Sequence, residues 1–264
     1  MEHGIIPTSV NEFEKLAEEK MAKDKKHRAL WCYISLGTGD KQTLEDSKAA
    51  FRRFRFQPRI LTAKMERSTQ TTLLGNPVSL PIGISPVAGY SSLHPYGATL
   101  AGKAAARAGA VMILGSVGNI SLEDFAERVP SDGLYWAQTY LFRDKRNTLR
   151  LVRNAERLGF KALVVTVDSP VEHKGAGSNK ETMDEYTRTV VETPAANIRY
   201  VNGKEREISP ASLSEVWTEA YKEVFCCANW EDLSWLQSET KLPIILKGVL
   251  SGEFHFKNSF SIVC

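Results

Sequence analysis

The chain has 264 residues with 34 basic and 31 acidic side chains, a net charge of +3, too small a surplus to hold a polyanion by bulk attraction. With 42% apolar and 25% charged residues it has the composition of a globular protein, neither disordered nor membrane-spanning. At roughly 100–200 residues per domain the length allows one large domain or two small ones, with ample chain to bury a core. The four cysteines, Cys32, Cys226, Cys227 and Cys264, have neither metal-site nor disulfide-framework spacing, so a reducing compartment and no metal site are expected. The N-terminal stretch lacks the apolar run of a signal peptide or anchor; this predicts an intracellular protein and makes the sequon Asn119-Ile120-Ser121 accidental.

Ser9-Val10-Asn11-Glu12 reads as a capping box, and Phe13, Leu16 and Ala17 follow at helical spacing, predicting a first helix to about Lys25. From Trp31 to Arg59 the chain is mixed and basic. Leu80 to Ala88 is a short apolar run between prolines, consistent with a buried strand. Gly97 to Ala108 predicts a helix closed by Gly109, and Ala110 to Gly115 a second buried strand. Ser121 heads another helix. Leu134 to Leu141 gives a third strand, Asn147 to Leu158 a helix closed by Gly159, and Ala162 to Asp168 a fourth strand. Near-continuous apolar strands, each followed by a helix, imply a parallel sheet covered on both faces, so the fold class is α/β.

After Pro170 this rhythm breaks for about sixty residues, a length more typical of an active-site lid than of a plain connection. Ser212-Leu213-Ser214-Glu215 caps a helical segment carrying Trp217, Ala220, Tyr221 and Val224, while Val171 to Arg206 reads equally as a disordered insertion. Leu242 to Val249 then restores a fifth strand.

Parallel α/β folds bind ligands at the carboxyl ends of their strands. The residues there are Ser85-Pro86-Val87-Ala88, Gly115-Ser116, Gln138 and Tyr140, Thr166 and Asp168, and Lys247. Lys247 closes the apolar run Pro243-Ile244-Ile245-Leu246, where a desolvated ammonium needs an anionic partner; the alternative is a lysine snorkelling off the strand end. Gln138 and Thr166 are neutral and suited to hydrogen-bonding a heterocycle, or singly to being satisfied core polar residues.

These stretches also carry a resemblance. Phe51 to Leu61 (FRRFRFQPRIL), Leu80 to Ala88, Trp136-Ala137-Gln138-Thr139-Tyr140, Leu163 to Pro170 and Leu242 to Leu250 resemble, in order and spacing, the FMN-dependent α-hydroxy-acid oxidase and dehydrogenase family. The resemblance implies a TIM (β/α)8 barrel with an N-terminal helical extension and FMN at its carboxyl face. It implies that Pro86, Val87 and Ala88 line the flavin near N5, and that Gln138 and Thr166 hydrogen-bond its pyrimidine ring. Lys247 would lie near N1 and O2, where hydride transfer to N5 deposits negative charge. Tyr33 and Tyr140 match the tyrosines whose hydroxyls touch the substrate, a small 2-hydroxy acid oxidised to the 2-oxo acid with formation of hydrogen peroxide in the oxidases. Relatives are commonly oligomeric, and some are peroxisomal through a Ser-Lys-Leu-type terminus, which Ser261-Ile262-Val263-Cys264 is not; a cytosolic location would follow for the chain as it stands.

Two positions depart from the family. Gly115 stands where a serine hydroxyl usually meets FMN, leaving Ser116 to compensate, and Gly175 stands at the counted position of the lid arginine, with His173 or Lys174 as possible substitutes. The resemblance covers residues 1–250, with 171–229 as lid or insertion, and 251–264 reads as an unrelated tail. A barrel needs eight βα units, and the chain reaches about five. The family's catalytic histidine and arginine, and the phosphate loops after strands seven and eight, lie beyond that point, so no catalytic residue is assigned and the chain as written is expected to be inactive. The alternative is a non-catalytic isoform that associates with full-length subunits. Five strands would also leave a sheet edge unpaired. The alternation of arginine and aromatic residues over Ala50 to Arg59 resembles some nucleic-acid binders, but the family match predicts aromatics packed beneath the barrel, so neither a nucleic-acid nor a membrane partner is expected.

Overall fold

A computed structural model describes residues 6–37, 39–61, 66–118, 120–169, 200–201, 204–205, 228–250 and 261–263. The chain divides into two compact units, one of residues 1–65 with 174–190 and one of residues 66–173 with 191–264.

The first unit is helical. Ser9 caps α1 (Val10–Met21) by accepting from the Glu12 N–H, and α2 (Lys25–Leu36) and α3 (Gln42–Ala50) follow. The expected helix to Lys25 stops at Met21 because the Asp24 side chain accepts from the His27 N–H and starts a new helix there. A short 3₁₀ turn, Phe51–Arg53, leads into an extended segment that carries Phe54 and Phe56.

The second unit opens with a hairpin, β1 (Thr71–Leu73) and β2 (Asn76–Val78). Its main sheet contains β3 (Gly83–Ile84), β4 (Val111–Leu114), β5 (Leu134–Thr139), β6 (Leu163–Thr166), β9 (Ile244–Lys247) and β10 (Ser261–Val263), all parallel. A second hairpin pairs β7 (Tyr200–Val201) with β8 (Lys204–Glu205). Strands of the main sheet follow one another across it in chain order, with no reversal. A doubly wound sheet reverses at its switch point, whereas a barrel does not, so the order is that of a barrel wall.

Helices α4 (Tyr90–Leu93), α5 (Gly97–Ala108), α6 (Leu122–Arg128), α7 (Lys145–Arg157) and α8 (Trp230–Glu239) fill the connections. On α7 the buried residues Asn147, Thr148, Leu151, Val152 and Ala155 form one helical stripe, and Ser121 caps α6 through the Asp124 N–H as its sequence predicts. Helix α8 has no counterpart among the predicted elements; Asn229 and Asp232 form a reciprocal capping box ahead of the buried Leu233 and Leu236.

Strand parity sorts the two faces. Met112, Leu114, Tyr135, Ala137, Leu163, Val165, Ile244 and Leu246 pack with Phe125, Leu151, Val152, Leu233 and Leu236 of the helices. Val111, Ile113, Trp136, Ala162, Val164 and Ile245 form a separate cluster on the opposite face. The observed strands are shorter than the apolar runs, β3 most of all, because pairing stops where the chain turns toward the next helix. Ser261–Val263 lies in register against Ile245–Lys247 and covers the outer side of β9, so among the described residues the open edges of the sheet are those of β10 and β3. A parallel return needs roughly a dozen linking residues, which 248–260 supply. The helix predicted from Ser212 falls outside the described residues, as do Asn119, His173, Lys174, Gly175, Cys226, Cys227 and Cys264.

Candidate functional site

Side chains alternate faces along a strand, so the inward set Ile113, Trp136, Val164 and Ile245 continues two residues on to Gly115, Gln138, Thr166 and Lys247. Each of these stands within one residue of the carboxyl end of its strand. Register brings them into a row: Leu114 pairs with Ala137, Gln138 with Val164, and Thr166 with Lys247. The sheet thereby collects four of the expected cofactor residues from four separate strands.

Ser116, Gln138 and Thr166 form a buried polar network. Ser116 is wholly buried, and both its backbone N–H (2.9 Å) and its hydroxyl (3.1 Å) donate to Gln138 Oε1. Gln138 Nε2 donates to Thr166 Oγ1 at 3.0 Å and to the Thr139 carbonyl at 2.9 Å. Burial strengthens these bonds and makes an unmade one costly. The loop after β3 brings the remaining expected residues alongside: a Cβ built on Gly115 would lie 3.5 Å from the Val87 carbonyl oxygen and 3.8 Å from Gln138 Oε1. Pro86 is half-buried, while Val87 and Ala88 are exposed. Behind Gly115 a cavity of about 160 Å³ is lined by Val87, Tyr90, Tyr96, Leu114 and Ile120, among others.

Lys247 has the anionic partner its position called for. Its Nζ lies 3.8 Å from Asp168 Oδ2, both side chains being partly exposed. Gly248 permits this approach. Its φ is +99°, and a Cβ there would fall 2.5 Å from Asp168 Cβ, so a side chain would be both strained and in collision. Tyr140 shares the parity of Gln138, and burial first, then the Asp168 charge, pushes its phenol above the usual range, which keeps the hydroxyl protonated. Asp168 stood among the strand-end residues of the sequence, but its pairing with Lys247 and its dependence on Gly248 have no signal there. Tyr33 lies in α2 of the other unit, and its substrate contact rests on the resemblance alone. Of the described histidines, His27 is in α2 and His94 follows α4, and among the described residues no cluster could hold a metal ion.

The sequence profile of the FMN-dependent dehydrogenases matches residues 22–254. The chain belongs to the FMN-dependent dehydrogenase family. Glycolate oxidase of Spinacia oleracea is 34% identical over 247 residues, covering 93% of this chain and 63% of its own length. L-lactate oxidase of a Nostoc species is 34% identical over 252 residues, covering 94% of this chain and 66% of its own. Among solved structures, a mutant of the active chimera of (S)-mandelate dehydrogenase superposes with a TM-score of 0.75 at 26% identity, covering 92% of this chain and 65% of that one. The chain thus spans about 63% of the length of the glycolate oxidases it matches.

The cofactor of the FMN-dependent dehydrogenases is FMN, and the residues of this face suit it. Gly115 without a side chain, the neutral polar groups of Gln138 and Thr166 and the cation of Lys247 share this face, a set compatible with a planar heterocycle that has a polar edge. Among the described residues no helix is long and apolar enough to cross a membrane.

Proposed function

We propose that this chain binds FMN against the carboxyl ends of β3, β4, β5, β6 and β9, and that the protein oxidises (S)-2-hydroxy acids to 2-oxo acids. The convergence of Gln138, Thr166 and Lys247 on one face, from strands 28 and 81 residues apart by their numbering, carries this reading. Glycolate, L-lactate and (S)-mandelate, named in the relatives, are all 2-hydroxy acids.

FMN supplies a two-electron acceptor for the carbon–hydrogen bond beside the hydroxyl. The chain's own residues bind and orient. Gln138 and Thr166 fix a ring in the plane their network defines, without exchanging protons. Lys247 holds a positive charge where negative charge develops, and its loose pairing with Asp168 leaves ammonium protons to donate outward. Tyr140, held protonated, offers its hydroxyl to a substrate carboxylate.

The test is the absorbance spectrum of the purified 264-residue chain after addition of FMN and gel filtration. Visible flavin bands at about one FMN per chain are expected, and Lys247→Met weakens retention. A folded chain that retains no FMN overturns the proposal.

A further inference from the structure

Strand β10 lies outside the stretch that the family profile matches, residues 22–254, so membership of the family does not account for it. Its role follows from which backbone groups of β9 point toward it. Along a strand the N–H and C=O of one residue leave on the same side, and consecutive residues alternate sides. The Pro243 and Lys247 carbonyls accept from the Leu163 and Val167 N–H groups, so Pro243, Ile245 and Lys247 turn their backbone groups toward β6. Ile244 and Leu246 therefore turn theirs the other way, to the side of β10. Both residues are buried, and a buried N–H or C=O left unpaired is costly. The register of Ser261 with Ile245, Ile262 with Leu246 and Val263 with Lys247 supplies the partners. In a parallel pair of that register the Ser261 N–H serves the Ile244 carbonyl, the Ser261 carbonyl serves the Leu246 N–H, and the Val263 N–H serves the Leu246 carbonyl.

We infer that β10 is an edge strap: it pairs the outward backbone of β9 and leaves in its place an edge too short for a second copy of the chain to add a strand to. Uncovered, β9 presents the N–H and C=O groups of Ile244 and Leu246 along an apolar strand, a template for strand addition. Covered, the edge is three residues long, and Ile262 alone of the three turns its N–H and C=O outward. Very short edge strands are one of the ways in which sheets avoid edge-to-edge association. At the opposite edge β3 is shorter still, with two residues, so the strap gives the two sides of the sheet the same protection. The strap acts on the backbone of β9 and holds whether or not the chain binds FMN.

The test is hydrogen exchange at the Leu246 amide of the full chain, followed by NMR, together with sedimentation velocity over a range of concentrations. Proline has no N–H, so its effect relative to alanine at the same position separates the backbone bond from the side chain. One lost hydrogen bond corresponds to exchange about three- to tenfold faster in Val263→Pro than in Val263→Ala, and likewise in Ser261→Pro than in Ser261→Ala. Ile262→Pro and Ile262→Ala are expected to differ by less than about twofold, because the Ile262 N–H faces away from β9. A chain ended at Leu250 is expected to lose the Leu246 protection and to sediment as larger species than the parent at equal concentration; if it is insoluble, the proline and alanine pairs decide. Proline effects that are equal at 261, 262 and 263, or absent at 261 and 263, overturn the strap. So does a Leu246 amide that exchanges unprotected in the parent chain, or a soluble shortened chain that keeps the parent's protection and sedimentation.

Discussion

Gly115 offers a sharp test of the site because the structure specifies the space around it. An added Cβ meets the Val87 carbonyl oxygen at 3.5 Å and Gln138 Oε1 at 3.8 Å, ordinary van der Waals contacts, and the residue is not in the left-handed region. Alanine therefore fits without displacement. Removing glycine's freedom from the unfolded chain stabilises by about 0.4–1 kcal/mol where the native conformation is compatible. At about 2–4 °C per kcal/mol for a chain of this size, the flavin-free Gly115→Ala variant should melt about 1–4 °C higher. Gly115→Ser adds a hydroxyl on the face shared with Gln138 and Thr166. One neutral hydrogen bond of about 0.5–1.5 kcal/mol corresponds to FMN binding about two- to tenfold tighter than in Gly115→Ala, which controls for the methyl-sized volume. Thermal melts without FMN and fluorescence titrations with it measure the two effects separately. A melting point lowered by alanine would show that the space is not there. Equal FMN affinity of the serine and alanine variants would show that Gly115 does not face the flavin.

Three further outcomes follow from the packing. Phe125 is fully buried, edge-on to Tyr135 at 5.2 Å between centroids, so Phe125→Ala should cost about 3–5 kcal/mol in urea unfolding, and a loss below about 2 kcal/mol contradicts its place in the core. Trp136 Nε1 is buried and has no hydrogen-bond partner among the described residues, so Trp136→Phe removes an unsatisfied donor against a modest loss of volume; stability should stay within about 1 kcal/mol, and a larger loss would reveal a partner. Glu156 joins α7 to the turn before β9, accepting from Thr240 Oγ1 at 2.6 Å, from the Lys241 N–H at 3.2 Å and from Arg153. Those bonds, the Thr240 hydroxyl foremost, hold its carboxyl below the usual range. The folded value lies below the unfolded one, so its contribution is complete above about pH 4.3 and is lost as pH falls through the folded value. Glu156→Gln should therefore cost about 1 kcal/mol at pH 7, after allowance for solvent screening, and nothing in strong acid; a loss that is the same at both pH values argues against the charge.

Much of the second unit is legible in the chain because its signals are local. Buried parallel strands are apolar on both faces, so Ala110 to Gly115, Leu134 to Leu141 and Ala162 to Asp168 stand out without reference to neighbours. Helix ends are set by single side chains and single backbone angles: Ser121 accepting from Asp124, and Gly109 and Gly159 at φ of +64° and +81°. Where a local signal is weaker than its context, the pattern misleads. Asp24 divides one expected helix into two, and the Asn229 box starts a helix inside what looks like irregular chain. Residues Gln138, Thr166 and Lys247 can be picked out because polar groups end apolar runs.

What they do for one another cannot be read that way. Parity and register are properties of the paired sheet, and they alone bring Thr166 beside Lys247 and Gly115 beside Gln138. The direction of the hydrogen bonds through Gln138 depends on a backbone N–H and a backbone carbonyl from two different strand ends, groups that every residue but proline carries and no sequence distinguishes. The approach of Asp168 to Lys247 depends on an unoccupied Cβ position at Gly248. Composition and spacing supply the residues that chemistry needs; only the folded backbone gives each of them a neighbour and a direction, because hydrogen bonds and ion pairs act over a few ångströms and the chain separates these groups by tens of residues.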